Sequence, residues 1–328
     1  NKKSLALDLK SETGYQVLLK LVETADVLIT NYRLKALERL KLEYEAIRDI
    51  NPRIIYALAT GFGEKGEERH NPGYDLVAYW SRSAIETQIF PYDGWLRPFP
   101  YGAGDHPSGM ALYAAVMTAL YQRQQTGEGS KVSTSLLANG AWANSVMLQA
   151  QLAGAQFREP RPRHDSYNFI SLHYPTKDER LMKLCIVNFK KNWKPFCKAI
   201  GRSDFPDDER YATPEARAEN MSSLIHEITE VFKTQDVDYW DRALKEADIP
   251  HAVVPTYEEA VDDEQKKAND IIIPLDHPSE GKMRTVNSPF QVSSAEKIKP
   301  GAAPKLGEHT VEVLEQIGYS EEAIRKMF

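Results

Sequence analysis

The stretch YGAGDHPSGMALYAAVMTAL, residues 101–120, sets one carboxylate, Asp105, between a glycine-rich turn and an apolar helical run. Two roles fit that position. As a helix N-cap, Asp105 would stand just ahead of Pro107 in the first turn, with the apolar period beginning at Met110. As a nucleophile, an Asp with an ordinary pKa of about 4 would be ionised at neutral pH and could attack an activated acyl group. The small residues before it would let a substrate approach closely, and a helix N-terminus supplies N–H groups suited to an oxyanion. The two roles are compatible.

A second set of residues is basic. Lys2, Lys3, Lys10, Arg33, Lys35, Arg39 and Lys41 give the N-terminal stretch a local positive excess on a chain whose net charge is -6. Arg33 follows the predicted strand DVLIT, at the carboxyl end of a parallel sheet, where such folds bind ligands. Arginine there could pair with the phosphate of a ligand, or the whole run could be a solvated basic face.

Other motifs are weaker. GFGEKG, Gly61 to Gly66, has the G-x-G-x-x-G spacing after a strand, but EERHNPG follows in place of a helix and Glu64 would face a pyrophosphate. A plain glycine-rich loop is the better reading. The eight histidines form no H-x-x-H pair and the two cysteines no C-x-x-C, so no metal site is expected. There is no G-x-S-x-G elbow, and Cys197 sits at core helical spacing, which suits packing better than nucleophilic attack.

The elements that must position these residues alternate in type. GYQVLLKLVETA has helical spacing, with Val17, Leu18, Leu21 and Val22 on one face, and DVLIT is a short buried strand. YEAIRDI is helical up to Asn51-Pro52, and RIIYALAT is a strand. That order predicts a parallel α/β sheet. DLVAYWSRSAIET is helical, the helix after Asp105 ends at TGEG, and KVSTSLLANGAWANSVMLQAQLAG leads from strand to helix. Residues 155–168, rich in Pro and Arg, read as a linker. Beyond it come a strand at LMKLCIVN, helices at 190–200, 217–233 and 237–247, a strand and helix in HAVVPTYEEAVDD, and two short closing helices.

With 328 residues, 42% hydrophobic and 27% charged, the chain has the composition of a soluble globular protein of one large or two smaller domains. The acidic balance argues against nucleic acid, and no apolar run reaches the roughly 18 residues of a membrane helix. Without a disulfide framework, a cytoplasmic location is expected. The chain opens on Asn1 within NKKSLALDLK, which reads as a segment already under way.

Several stretches occur in the order of one family. NKKSLALDLKSETG, ADVLITNYR, LEYEAIRDINPRIIYALATGFGEKG, NPGYDLVAYWSRSA, YGAGDHPSGMALYAAVMTAL, TGEGSKVSTSLL, ADIPHAVVPTYEEAVDDEQKKAND and APKLGEHTVEVLEQIGYSEEAI span essentially the whole chain. The chain resembles the class III (CaiB/BaiF) CoA-transferases, most of all those acting on 2-hydroxy acids in amino-acid fermentation. The resemblance implies that Asp105 attacks the acyl-CoA thioester, with Tyr74, Asp75 and Gly104 near the reacting carbonyl. It implies CoA contacts from Leu7, Lys10, Asn31, Tyr32, Arg33, Arg39 and Leu40, with CoA as substrate and no separate cofactor. It also implies an intertwined homodimer with a Rossmann-like large domain built from both chain ends, here 1–155 and 256–328, around a smaller α+β domain at 156–255.

Two departures matter. The family's first strand–helix segment, which supplies part of the CoA pocket, does not precede Asn1, so weak CoA binding is expected of the chain as it stands. The polyglycine loop of the formyl-CoA type has no counterpart between residues 160 and 190. Two alternatives remain, a 2-methylacyl-CoA racemase and a non-catalytic CoA-binding relative. The racemases carry a His–Asp pair where this chain has Tyr74-Asp75, and a phenol with pKa about 10 is a poor proton acceptor at neutral pH. The intact GAGD argues against the non-catalytic reading.

Overall fold

A computed structural model describes residues 1–89, 99–159 and 161–327. Helix α1 (Glu12–Thr24) starts where the Ser11 side chain accepts from the Gly14 amide, and it buries Val17 and Val22. Strand β1 (Val27–Thr30) leads to α2 (Leu34–Leu40), a short helix the sequence pattern does not announce, then α3 (Tyr44–Ile50) and β2 (Ile55–Thr60). Ile55 to Leu58 are all buried. The reason is that β2 is the central strand, paired in parallel with β1 on one side and with β3 (Ser130–Ser135) on the other.

Between β2 and β3 lie a single π-helical turn at Asp75–Ser81, α4 (Ile85–Ile89) and α5 (Asp105–Thr126). The long α5 stops at Gly127, whose φ of 80° closes the helix in the left-handed region. After β3, the Ser135 side chain caps α6 (Leu136–Ala143), and α7 (Ser145–Leu152) follows.

The second unit, Arg158–Gly301, has its own core. It holds an antiparallel sheet of β4 (His173–Pro175), β5 (Leu181–Leu184) and β6 (His251–Val253). The helices are α8 (Phe189–Ala199), α9 (Pro214–Glu219), α10 (Met221–Phe232) and α11 (Val237–Glu246). Its interior is aromatic, with Phe169, Tyr174, Phe196, Phe205, Tyr211 and Phe232 all fully buried. Cys197 lies in that core, where burial pushes its thiol up to about 12, so it packs and does not react.

Then come α12 (Tyr257–Asp262), α13 (Glu264–Ala268) and a hairpin of β7 (Ile272–His277) and β8 (Gly281–Val286). The first unit resumes at Ala302 and ends in α14 (Thr310–Gln316) and α15 (Glu321–Arg325). There the chain's two ends are tied together. Ser4 and His309 exchange hydrogen bonds of 3.1 and 3.0 Å, and Leu314 and Ile324 pack on Val17.

Three expectations need correction. Residues 256–301, assigned from the sequence to the large domain, belong to the middle unit. Arg180 grips Glu259 of α12 at 2.8 and 2.7 Å, and Arg284 of β8 holds Asp262 at 2.6 Å. The helix expected at 217–233 is two helices, because Thr213-Pro214 starts α9 and Asn220 ends it by bonding its side chain to the Ala216 carbonyl. The linker expected at 155–168 (Pro160 lies outside the described residues) is partly docked, since Arg163 donates to the His173 carbonyl at 2.9 Å.

Candidate active site

All three parallel strands end at one cavity of about 480 Å³. β1 delivers Asn31, Tyr32 and Arg33, β2 delivers Thr60 and Gly61, and β3 is followed by Leu136. Asp105 and Ser108 enter from the first turn of α5, and Tyr74 and Asp75 from the start of the π-helical turn. A ligand position at the carboxyl ends of parallel strands is what the topology of an open α/β sheet favours.

Asp105 is not a cap. Gly104 occupies the cap position with helical angles and no side-chain cap bond forms, so Asp105 is the first helical residue and its side chain is exposed. Nor does it have the ordinary pKa assumed above. Partial desolvation, and then the charge of Asp75, push its carboxyl above the usual carboxylate value, with His106 pulling the other way. A carboxylate held so is less stabilised than one in water and more available for attack.

Asp75 is the opposite case. It is buried, and neither of its carboxylate oxygens has a hydrogen-bond partner among the described residues. Its Oδ1 and the Tyr79 ring press against Gly104, where any Cβ would overlap both. Gly104 is therefore the contact that sets the second carboxylate behind Asp105. Ser108 ties the same turn down by donating to the Gly104 carbonyl at 2.8 Å. Gly61 and Gly73 also abut backbone to backbone, which pins the loop between them and fixes where Tyr74 begins. The GFGEKG run is thus a packed loop, and Glu64 is ion-paired with Lys131.

The expected CoA contacts fall into two groups. Asn31, Tyr32 and Arg33 line the Asp105 cavity, while Lys10, Arg39 and Leu40 line a second one of about 480 Å³ beside Tyr15. Leu7 lines neither and packs against the cluster of Val17, Leu314 and Ile324. Among the described residues, Lys10, Arg33 and Arg39 make no ion pair with any carboxylate, although Asp75 and Asp105 line the first cavity and Glu12 the second. The sequence reading missed Arg69 and Ser108, which also line the Asp105 cavity. For Ser108 the signal was present in its position three residues after Asp105, on the inner side of the first turn.

Among the described residues, no group of three or more His, Cys, Asp or Glu side chains could hold a metal ion. No described helix is long and apolar enough to cross a membrane.

Comparison with known proteins identifies the family. Residues 1–310 match CoA-transferase family III. The chain is 33% identical to the cinnamoyl-CoA:phenyllactate CoA-transferase of Clostridium sporogenes, over 100% of this chain and 80% of that protein. It is 32% identical to the (R)-2-hydroxy-4-methylpentanoate CoA-transferase of Clostridioides difficile, over 99% and 81%. Among solved structures, a CaiB/BaiF family protein from Brucella suis superposes with a TM-score of 0.82 at 25% identity, covering 96% of this chain and 82% of that one. A mixed α/β chain whose strand ends converge on a glycine-flanked Asp is, on these matches, a member of CoA-transferase family III.

Proposed function

We propose that the chain moves CoA from an acyl-CoA to a carboxylic acid, with 2-hydroxy acids as the acceptor class, through covalent intermediates on Asp105. The observation that carries this reading is the Asp105 side chain itself. It caps nothing, has no salt-bridge partner among the described residues, and lines a cavity that also holds the Arg33 loop. The acceptor class rests on the relatives that act on phenyllactate and 2-hydroxy-4-methylpentanoate.

The steps balance as follows. An Asp105 oxygen attacks the thioester carbonyl, the C–S bond breaks, and CoA thiolate leaves an aspartyl–acyl anhydride. The thiolate then attacks the Asp105 carbonyl of that anhydride, releasing the donor acid and leaving an aspartyl–CoA thioester. The acceptor carboxylate attacks this thioester and expels thiolate again. Attack of the thiolate on the acceptor's carbonyl in the new anhydride gives acceptor-CoA and restores the Asp105 carboxylate. Tyr74 and Asp75 lie beside the reacting carbonyl, while Asn31, Tyr32, Arg33, Lys10, Arg39 and Leu40 hold CoA, the basic ones through its phosphates.

The same reading includes a homodimer in the cytoplasm. Met117 and Tyr121 on α5, and Trp142, Val146 and Leu152 on α6 and α7, are exposed apolar side chains that a second copy would cover.

Hydroxylamine added during turnover tests the mechanism. It is expected to modify the wild-type peptide containing Asp105 and to leave the Asp105→Asn protein unmodified; an adduct elsewhere would remove the reading. The same assay in deuterated water with a 2-methylacyl-CoA is expected to show no exchange of the α-proton, whereas rapid exchange would establish the racemase.

A further inference from the structure

Arg69 stands in the Asp105 cavity with no role in the steps above. It belongs to the 3-10 turn Glu67–His70, in the loop whose two ends are pinned where Gly61 meets Gly73. Its Nε donates to His70 Nε2 at 3.0 Å, which assigns the imidazole proton to Nδ1 and steadies the guanidinium stem. Its two terminal amino groups meet no carboxylate among the described residues. Of the acids in its own loop, Glu64 is engaged by Lys131 and Glu68 by Arg82 at 2.8 Å, while Glu38, Glu43 and Glu45 line a neighbouring cavity that Arg69 also borders. Of the loop's Lys65 and Arg69, it is Arg69 that lines the Asp105 cavity.

The cavity has a use for it. Its charged side chains are two acids, Asp75 and Asp105, and two arginines, Arg33 and Arg69. Each half of the proposed reaction brings another anion into this space, and carboxylates crowded together repel one another. A guanidinium with a free fork can pair with the two oxygens of a carboxylate or a phosphate at once.

We propose that Arg69 is a substrate-binding residue that takes an oxyanion of an incoming substrate, with His70 as its positioning residue. Two groups share that chemistry, the carboxylate of the acceptor acid and the diphosphate of CoA. The inference rests on the transferase reading given above.

The test is steady-state kinetics of Arg69→Gln, Arg69→Lys and His70→Phe with both substrates varied, beside equilibrium binding of CoA alone. Arg69→Gln is expected to raise one KM by at least about tenfold while the other KM and kcat change little. Arg69→Lys should recover part of the loss, and His70→Phe should raise the same KM by a smaller factor. A rise confined to the acid's KM, with CoA binding unchanged, identifies the acceptor carboxylate as the ligand. A rise in the acyl-CoA KM with weaker CoA binding identifies the diphosphate. If wild type transfers CoA, Asp105→Asn does not, and Arg69→Gln leaves both KM values alone, the role of Arg69 is refuted and the transferase reading stands. Absence of transfer by the wild type would overturn both.

Discussion

Charges in the two units are disposed in different ways. In the middle unit two acids sit at the centre of paired networks. Glu227 accepts from Arg202 at 2.7 Å, Arg210 at 2.9 Å and the Tyr211 hydroxyl at 2.7 Å, and Asp241 takes both Lys245 and His251. In the first unit's cavities, Lys10, Arg33, Arg39 and Arg69 make no ion pair, and the buried Asp75 accepts no hydrogen bond, among the described residues. An unpaired buried carboxylate costs stability, and a surface cation without a partner contributes none. What the first unit forgoes in stability, it keeps available for ligands. In the middle unit, Glu227 and Asp241 are instead held by their neighbours.

Substitutions in the two regions should therefore separate activity from stability. The largest effect belongs to Asp105→Asn. A carboxamide cannot form the anhydride, so transfer should fall on the order of a thousandfold or more. Stability should move the other way or not at all. The folded pKa of Asp105 is raised, so its stabilising contribution is present below the unfolded value and lost as pH rises through the folded value. At neutral pH the ionised side chain is a liability that Asn removes. Thermal melts should place the variant at or above wild type at pH 7, with the gap closing in acid; a clear loss of stability would show that Asp105 holds the helix start after all.

Intermediate effects come from one pair of comparisons. Lys10→Ala and Arg39→Ala should each weaken acyl-CoA binding by about 1.5–3 kcal/mol with melting unchanged, if their contacts to phosphate are direct. Glu227→Gln should do the reverse, costing about 1–3 kcal/mol of stability and leaving both KM values unchanged. Partial burial raises the Glu227 carboxyl, but hydrogen bonds from Tyr211 and Arg202 outweigh it and hold the pKa below the usual value. Its stabilising effect is thus present above the unfolded pKa and lost as pH falls through the folded one. The Glu227→Gln penalty should shrink accordingly in acid. Loss of stability in the lysine or arginine variants would show that those cations hold the fold together.

Much of the first unit was legible because its elements announce themselves locally. A continuous apolar run marks β2, and Asp105 stands out because glycine precedes it and helical periodicity follows. What was not legible depends on contacts between segments distant in the chain. Nothing in GYDLVAYW says that Asp75 is buried against Gly104, or that this stretch winds as a π-helical turn. Arg69 was hidden in EERH, a charged run in which Glu68 finds its partner Arg82, and upstream Glu64 its partner Lys131, only once the chain is folded. The β7–β8 hairpin escaped notice because β8 is almost wholly exposed and carries no apolar alternation to pair with β7. The assignment of 256–301 failed with it, since the grip of Arg180 on Glu259 leaves no local pattern.

The smallest effect sharpens the comparison most, because it asks what the unpaired Asp75 does. Asp75→Asn keeps the shape of the side chain against Gly104 and Tyr79 and removes only its charge. Desolvation is the larger cause of the raised Asp105 pKa, and the Asp75 charge is the second. Asp105 must be ionised to attack, so transfer should fall as pH drops through its folded pKa, and that acid limb of kcat/KM should lie above the ordinary carboxylate value. In Asp75→Asn the limb should move to lower pH, yet stop short of the ordinary value, because burial still acts on Asp105. The profile should be read from kcat/KM, which reports the free enzyme, so that changes in substrate affinity at saturation do not enter. A limb that stays in place would mean that Asp105 does not feel the Asp75 charge. The buried carboxylate would then serve only to fill the space behind Gly104, much as the saturated acids of the middle unit serve their own fold.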